Sequence, residues 1–181
     1  EDVGTQLSQV QNFIASGVDA LVVTAVSAAA TPQMTKMANA AGIPIVYVNR
    51  MPSDSASLGG TSTFVGSNET WSGTLAAFEL CNLAGGTGTA VMLQGILSNE
   101  AAVTRSKDFE EVLALSMCNG IELKAVEVGS WQRAKGNDIV SNWLSSGMKI
   151  DIVFANNDEM GLGAVQAFKN AGISMDDVLI G

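Results

Sequence analysis

Two apolar runs in this chain end in side chains able to hold a polar ligand. Ile43-Pro44-Ile45-Val46-Tyr47-Val48 stops at Asn49-Arg50, and Asp151-Ile152-Val153-Phe154-Ala155 stops at Asn156-Asn157-Asp158-Glu159-Met160. Amides and guanidinium groups delivered at strand ends are hydrogen-bonding groups, so the chemistry they offer is recognition of something small and rich in hydroxyls. Arg105 lies one turn into a helical stretch that follows Met92-Leu93-Gln94-Gly95. A guanidinium at such a place presents a planar fork to vicinal hydroxyls or ring oxygens while staying charged. Trp131, between a strand-like run and a helical one, can lay a flat apolar face against one side of a sugar ring. The plainer role for it is a core tryptophan closing the start of a helix.

Other chemistries fit less well. Asp158 and Glu159 form an adjacent acidic pair, but neighbouring residues on a helix point in different directions, and acids in a first turn complement the helix dipole. Gly85-Gly86-Thr87-Gly88 precedes a strand, whereas a dinucleotide loop follows one and opens a helix, so this run reads as a helix-to-strand turn. Gly161-Leu162-Gly163 does follow a strand, yet Gln166 stands where a third glycine belongs and Asp158-Glu159 would repel phosphate. Histidine is absent, which removes the usual base of a nucleophilic triad and the commonest metal ligand. No catalytic residue, metal site or cofactor is expected.

The chain has 181 residues, 47% of them hydrophobic, enough for one large domain or two small lobes with their own cores. Nine basic residues against eighteen acidic ones give a formal charge of −9. With no basic run, a nucleic-acid partner is not expected. No stretch reaches the roughly 18 consecutive apolar residues of a membrane-spanning helix. Glu1-Asp2-Val3 runs straight into an amphipathic pattern, so the start assigns no compartment. Cys81 and Cys118 each stand near the end of a helical stretch. They are either one disulfide, in an oxidising compartment, or two thiols acting as small hydrophobes.

The elements that must position these residues alternate. Leu7, Val10, Phe13 and Ile14 fit one helical face, Gly17 stops that helix, and Ala20 to Val23 is a buried strand. Pro32 opens a helix ending at Ala41-Gly42, and Ile43 to Val48 is the next strand. Beyond a Ser-, Gly-, Asp- and Thr-rich stretch, Phe64-Val65-Gly66 makes a short strand. The expected order then runs helix from Glu69 to Leu83, strand Thr89 to Leu93, helix Glu100 to Leu115, strand Leu123 to Val128 and helix Arg133 to Ser145. Strand Asp151 to Ala155, helix Asp158 to Ala171 and strand Val178 to Ile180 follow. Continuous apolar strands alternating with helices specify an α/β fold of parallel sheets covered by helices. The composition shift marks a domain crossing, dividing the chain into 1–66 and 67–181. In open parallel sheets the ligand crevice lies outside the carboxyl ends of the strands.

Taken together, the motifs resemble a known family. Asn12-Phe13-Ile14-Ala15-Ser16-Gly17-Val18-Asp19-Ala20-Leu21-Val22-Val23 and Ala38-Asn39-Ala40-Ala41-Gly42-Ile43-Pro44-Ile45-Val46, ending in Asn49-Arg50, are similar to the ribose-binding-protein-like branch of the type I periplasmic solute-binding proteins. Phe64-Val65-Gly66-Ser67-Asn68, Arg105 with Phe109-Glu110-Glu111-Val112-Leu113, Trp131-Gln132-Arg133-Ala134-Lys135-Gly136, Asn142-Trp143-Leu144 and Ala155-Asn156-Asn157-Asp158-Glu159-Met160 follow in the family's order.

The resemblance implies two Rossmann-like lobes that close about a hinge on a monosaccharide or polyol, in a receptor that delivers its cargo to a membrane ABC permease. Such a receptor is monomeric and periplasmic, or extracellular and membrane-tethered in a Gram-positive organism. Position by position, it implies ligand contacts at Thr24, Asn49, Arg50, Arg105, Trp131 and Asn157. Asn49 stands where ribose receptors carry an acid, Thr24 where they carry asparagine, and Trp131 where they carry phenylalanine. These departures point away from ribose itself, and Trp131-Gln132-Arg133 and Asn142-Trp143-Leu144 are more similar to receptors for inositol or a hexose, with a pentose also open. Against the family pattern the chain opens inside the second helix and stops at Gly181, before a Gly-x-Asp strand end. A receptor lacking both ends, its first lobe incomplete, is therefore expected. The effector-binding core of a LacI-type repressor shares this fold and is the alternative; an enzyme using two carboxylates is a more distant one.

Overall fold

Helix and strand alternate through most of the described residues. The computed structural model describes residues 2–181, and the chain divides into two units, Glu1–Ser67 and Asn68–Gly181.

In the first unit, helix α1 (Val3–Ala15) is capped by Asp2, whose carboxylate accepts the Thr5 N–H at 2.6 Å. Strand β1 (Leu21–Val23), helix α2 (Thr31–Ala40), strand β2 (Ile45–Val48) and strand β3 (Ser62–Val65) follow. The three strands are parallel in the order β1-β2-β3. Leu21, Val23, Ile45 and Tyr47 share one face of the sheet and form a core with Val10, Met34 and Ala38 of the two helices. The buried Tyr47 hydroxyl is satisfied, donating to Thr31 O at 3.0 Å with Thr35 Oγ1 at 2.9 Å. Both helices lie on this face; on the other, Val22 is 71% exposed and Val65 60% exposed.

Phe13 departs from the expected helical face and is exposed, whereas Leu7, Val10 and Ile14 pack inward. At about 100° per residue it lies roughly a quarter-turn from the centre of the stripe those three define.

The second unit contains α3 (Glu69–Leu83), β4 (Thr87–Gln94), α4 (Glu100–Leu113), β5 (Gly120–Val128), α5 (Arg133–Ser145), β6 (Ile152–Ala155), α6 (Asp158–Asn170) and β7 (Leu179–Ile180). Its sheet is parallel throughout, in the order β5-β4-β6-β7. Alternation along the strands divides the core. Ala90, Met92, Ile152 and Phe154 pack against α3 and α4, with Phe109 stacked on Phe154 at 4.3 Å between ring centroids. Val91, Leu93 and Val153 pack against Val140, Trp143 and Phe168 of α5 and α6. Those two helices approach closely because a side chain is missing where they meet: a Cβ on Gly163 would stand 2.2 Å from Arg133 O.

Two strands begin earlier than their apolar runs. Thr87 and Gly88 already belong to β4 and pair with Gly120 and Ile121 of β5, so only Gly85 and Gly86 form the expected turn, both at positive φ. Small and polar residues at these strand starts carry no hydrophobic signal. Cys81 and Cys118 are bonded, with 5.7 Å between their Cα atoms, tying the end of α3 to the turn before β5.

From β4 the chain passes through α4 to β5 on one side, then through α5 to β6 on the other. The strand order therefore reverses at β4, and the crevice of such a sheet opens at the carboxyl ends of β4, β5 and β6.

Candidate functional site

Each unit gathers its share of the sequence-derived candidates at its own strand ends. In the first, Thr24 follows β1 and is exposed. Gln6 of α1 clamps that turn, its Nε2 donating to Thr24 O at 2.9 Å and its Oε1 accepting the Val26 N–H at 2.8 Å. Asn49 ends β2 with φ 68°, in the left-handed region that asparagine tolerates better than most residues. Its N–H still reaches Val65 O at 3.0 Å. Arg50, partly buried, extends back over the first turn: Nη1 donates to Ala25 O at 3.0 Å and Val26 O at 3.1 Å. Thr24, Asn49 and Arg50 thus sit together at the ends of β1 and β2.

In the second unit Arg105 projects from α4 toward the end of β6. Its Nε donates to Glu69 Oε2 at 2.8 Å, its Nη2 lies 2.6 Å from the same oxygen, and its Nη1 donates to Asn156 O at 2.5 Å. Asn156 in turn links three elements. Its Oδ1 accepts the Gly95 N–H at 2.9 Å and the Ser106 hydroxyl at 3.2 Å, joining the ends of β4 and β6 to α4. Only 1% exposed, Asn156 has an Nδ2 with no partner among the described residues.

Trp131 follows β5 on a turn in which Ser130 has φ 52° and Trp131 itself φ 67°. Non-glycine residues at positive φ store backbone strain, and consecutive ones cluster at functional positions. Gly129 and Ser130 both donate to Gln94 O, at 2.9 and 3.2 Å, which pins the turn to the end of β4. The indole Nε1–H is buried and unpartnered among the described residues. Asn157 caps α6 by accepting the Met160 N–H at 3.1 Å, and its Nδ2 donates to Trp131 O at 3.3 Å. It therefore fixes the tryptophan turn as well as the helix start.

Arg105, Trp131 and Asn157 are accordingly brought together at the switch point. Glu69, Asn156 and Gly95 join them there, and sequence reasoning selected none of the three. Asn156 stood within the Asn156-Asn157 doublet; Glu69 stood only as the first residue of an expected helix. Arg105 partners a carboxylate that is only 9% exposed, so removing it would strand that charge and cost stability.

The acidic pair Asp158-Glu159 opens α6. Glu159 forms a two-bond ion pair with Arg133, at 3.0 and 2.9 Å. Hydrogen bonding to Arg133 holds its carboxyl below the usual range, which suits an ion pair and not a proton donor. Among the described residues no group of acids and thiols has a metal-binding arrangement, and no helix is long and apolar enough to cross a membrane.

Each unit is thus a parallel α/β sheet with amide and guanidinium groups gathered at or beside its strand ends. The family described as periplasmic binding protein domain matches residues 1–181, and the chain belongs to it. It is 53% identical over 180 residues to a putative rhizopine-binding protein of Rhizobium meliloti, covering 99% of this chain and 58% of that protein. It is 37% identical over 172 residues to a xylitol-binding protein of Mycolicibacterium smegmatis, covering 94% of this chain and 48% of that one. Among solved structures, an ABC transporter solute-binding protein from Bacillus halodurans with bound myo-inositol superposes with TM-score 0.88 at 35% identity, covering 98% of this chain and 60% of the other. The chain thus spans roughly half to three-fifths of the length of these relatives.

Proposed function

We propose that this chain belongs to the substrate-binding receptor of an ABC transporter and holds a monosaccharide or polyol, of which inositol, a hexose or a pentose are the candidates. The units bounded near residue 66 serve as its two lobes, each offering its strand ends to the ligand. Arg50, Arg105 and Asn157 pair with hydroxyls, Thr24 and Asn49 line the first lobe's share, and the Trp131 ring covers an apolar face of the sugar. The receptor works in the periplasm, or outside the cell on a tether, and hands its cargo to a membrane permease. It does so as a monomer, with neither catalysis nor nucleic acid.

One observation carries this reading. The Arg105 guanidinium is fixed at the ends of β4 and β6 beside two buried N–H donors, Asn156 Nδ2 and Trp131 Nε1, that have no protein acceptor among the described residues. Buried donors call for acceptors, and a polyol is a dense array of them. A site of this kind rejects analogues lacking a hydroxyl, because its own donors are then left unpaired. The relatives above, named for binding small hydroxylated solutes such as xylitol, support a receptor over a repressor core.

A thermal-shift panel of myo-inositol, xylitol, D-ribose and D-glucose on the full-length protein tests the reading. A ligand at about 100 times its Kd stabilises the native state by about 2.7 kcal/mol. For a chain of this size that raises the melting temperature by several degrees, at roughly 2–4 °C per kcal/mol. A rise confined to particular stereoisomers is expected; no rise with any polyol or monosaccharide would overturn the proposal.

A further inference from the structure

We propose that Glu69 sets the charge selectivity of the second unit's crevice, excluding anionic ligands such as sugar acids and sugar phosphates. The inference rests on the receptor reading above and adds to it a residue and a ligand property.

A glutamate in the first turn of a helix normally stands in solvent and complements the helix dipole. Glu69 does something further. It is 9% exposed, and its Oε2 receives both the Nε–H and the Nη2 group of Arg105, 36 residues away, at 2.8 and 2.6 Å. A guanidinium carries five N–H donors. The Nε–H goes to Glu69 and one Nη1–H to Asn156 O, while Nη2 stands 2.6 Å from the same Glu69 oxygen; an N–H remains on each terminal nitrogen, the spacing of a fork for vicinal hydroxyls. Glu69 thereby sets the direction in which Arg105 can offer hydrogen bonds.

It also cancels the charge. With Arg105 only 24% exposed, the pair is screened by salt less than a surface pair would be. Of the other cations near this end of the sheet, one is paired with a carboxylate and one stands exposed in solvent. Arg133 is bonded to Glu159, and the exposed Lys135 lies 3.4 Å from Ser130 Oγ. Asp158 adds a further acid at the start of α6. A carboxylate or phosphate on the ligand would compete with Glu69 for one guanidinium and place two anions against each other. Binding proteins obtain specificity by such built-in repulsion as much as by attraction. Asn156 Nδ2 and Trp131 Nε1 need acceptors, and neutral hydroxyl oxygens supply them without that repulsion.

A purely structural ion pair would have the same geometry, so the test reads a ratio of affinities. Calorimetry on the full-length protein compares D-glucose with D-glucuronate and xylitol with xylonate, in the parent and in Glu69→Gln and Glu69→Asp, with folding checked by circular dichroism. The parent is expected to bind a neutral member and to disfavour its acid. Glu69→Gln keeps the shape and removes the charge, and should lower that preference by about tenfold or more, the equivalent of about 1.4 kcal/mol. Glu69→Asp should keep the preference. A ratio unmoved by Glu69→Gln, whether or not both affinities fall together, overturns the inference while leaving the receptor reading intact. So does a parent that binds the acid as tightly as the neutral sugar, a result that needs no variant to fold. A parent that binds neither neutral nor acidic compounds overturns both.

Discussion

The ring of Trp131 lies directly on Gly95. A Cβ added at residue 95 would stand 2.2 Å from Cζ2, 2.3 Å from Cη2 and 2.4 Å from Cε2 of the indole. The glycine that follows β4 is therefore the floor on which the tryptophan rests, and its own N–H is held by Asn156.

Gly95→Ala should consequently displace the indole. Overpacking of this kind typically costs about 1–3 kcal/mol, and the affinity for the polyol should fall with it. Tryptophan fluorescence together with a thermal melt checks both effects. An unshifted emission spectrum would mean that the ring does not depend on this contact.

The bond between Cys81 and Cys118 closes a loop with a sequence separation of 37 within the second unit. A loop of that size limits the unfolded chain by an amount worth about 2–4 kcal/mol. Replacing both cysteines with alanine should lower the denaturation midpoint accordingly, and adding reductant to the double variant should have no further effect. Equal midpoints for parent and variant would show that the bridge adds nothing to stability.

Asp108 of α4 is 5% exposed, and its Oδ2 has no partner among the described residues. Burial pushes its carboxyl above the usual range, with Glu111 adding to the effect. An acid whose folded pKa is raised contributes stability that is present below its unfolded pKa, about 3.9, and lost as pH rises through the folded value. Asp108→Asn should therefore stabilise the protein at neutral pH, with a gain that shrinks as pH falls through the carboxyl's titration and vanishes below it. Urea midpoints measured across that range test the sign. A gain that grows on acidification would contradict the assignment.

In the first unit, Gln6 supports the turn that carries Thr24 through both ends of its amide. Gln6→Ala removes two hydrogen bonds and should cost about 1–3 kcal/mol in total. Amide exchange at Val26 should accelerate, and unchanged protection there would show that the turn holds itself.

The fold was legible because apolar runs of strand length alternate with amphipathic stretches, and because Gly17, Gly42 and Pro32 mark helix boundaries directly. The placement of Arg50 and Trp131 at strand ends was legible for the same reason, each following a run whose end is plain, and Arg105 was placed early in the helix after another. Pairing was not. Whether Cys81 meets Cys118 depends on a distance that two helices and a sheet set. The burial of Glu69 depends on Arg105, 36 residues further on. Asn156 and Asn157 are chemically identical, and only the geometry of the β6 end distinguishes the one that ties strands together from the one that caps α6. Phe13 carried an apolar signal with no matching burial in this unit, since hydrophobic type constrains which residues are free to be buried and not which ones are.

Recognition by the fixed Arg105 fork is the central claim. Alanine at 105 would strip a buried carboxylate of a partner, so lysine is the sharper substitution: it keeps the charge beside Glu69 and loses the planar fork. Titration calorimetry of the full-length protein and its Arg105→Lys variant with myo-inositol or xylitol should show a loss of about tenfold or more in affinity, with both proteins folded in the absence of ligand. Affinity unaltered by the substitution would contradict a polyol held by Arg105.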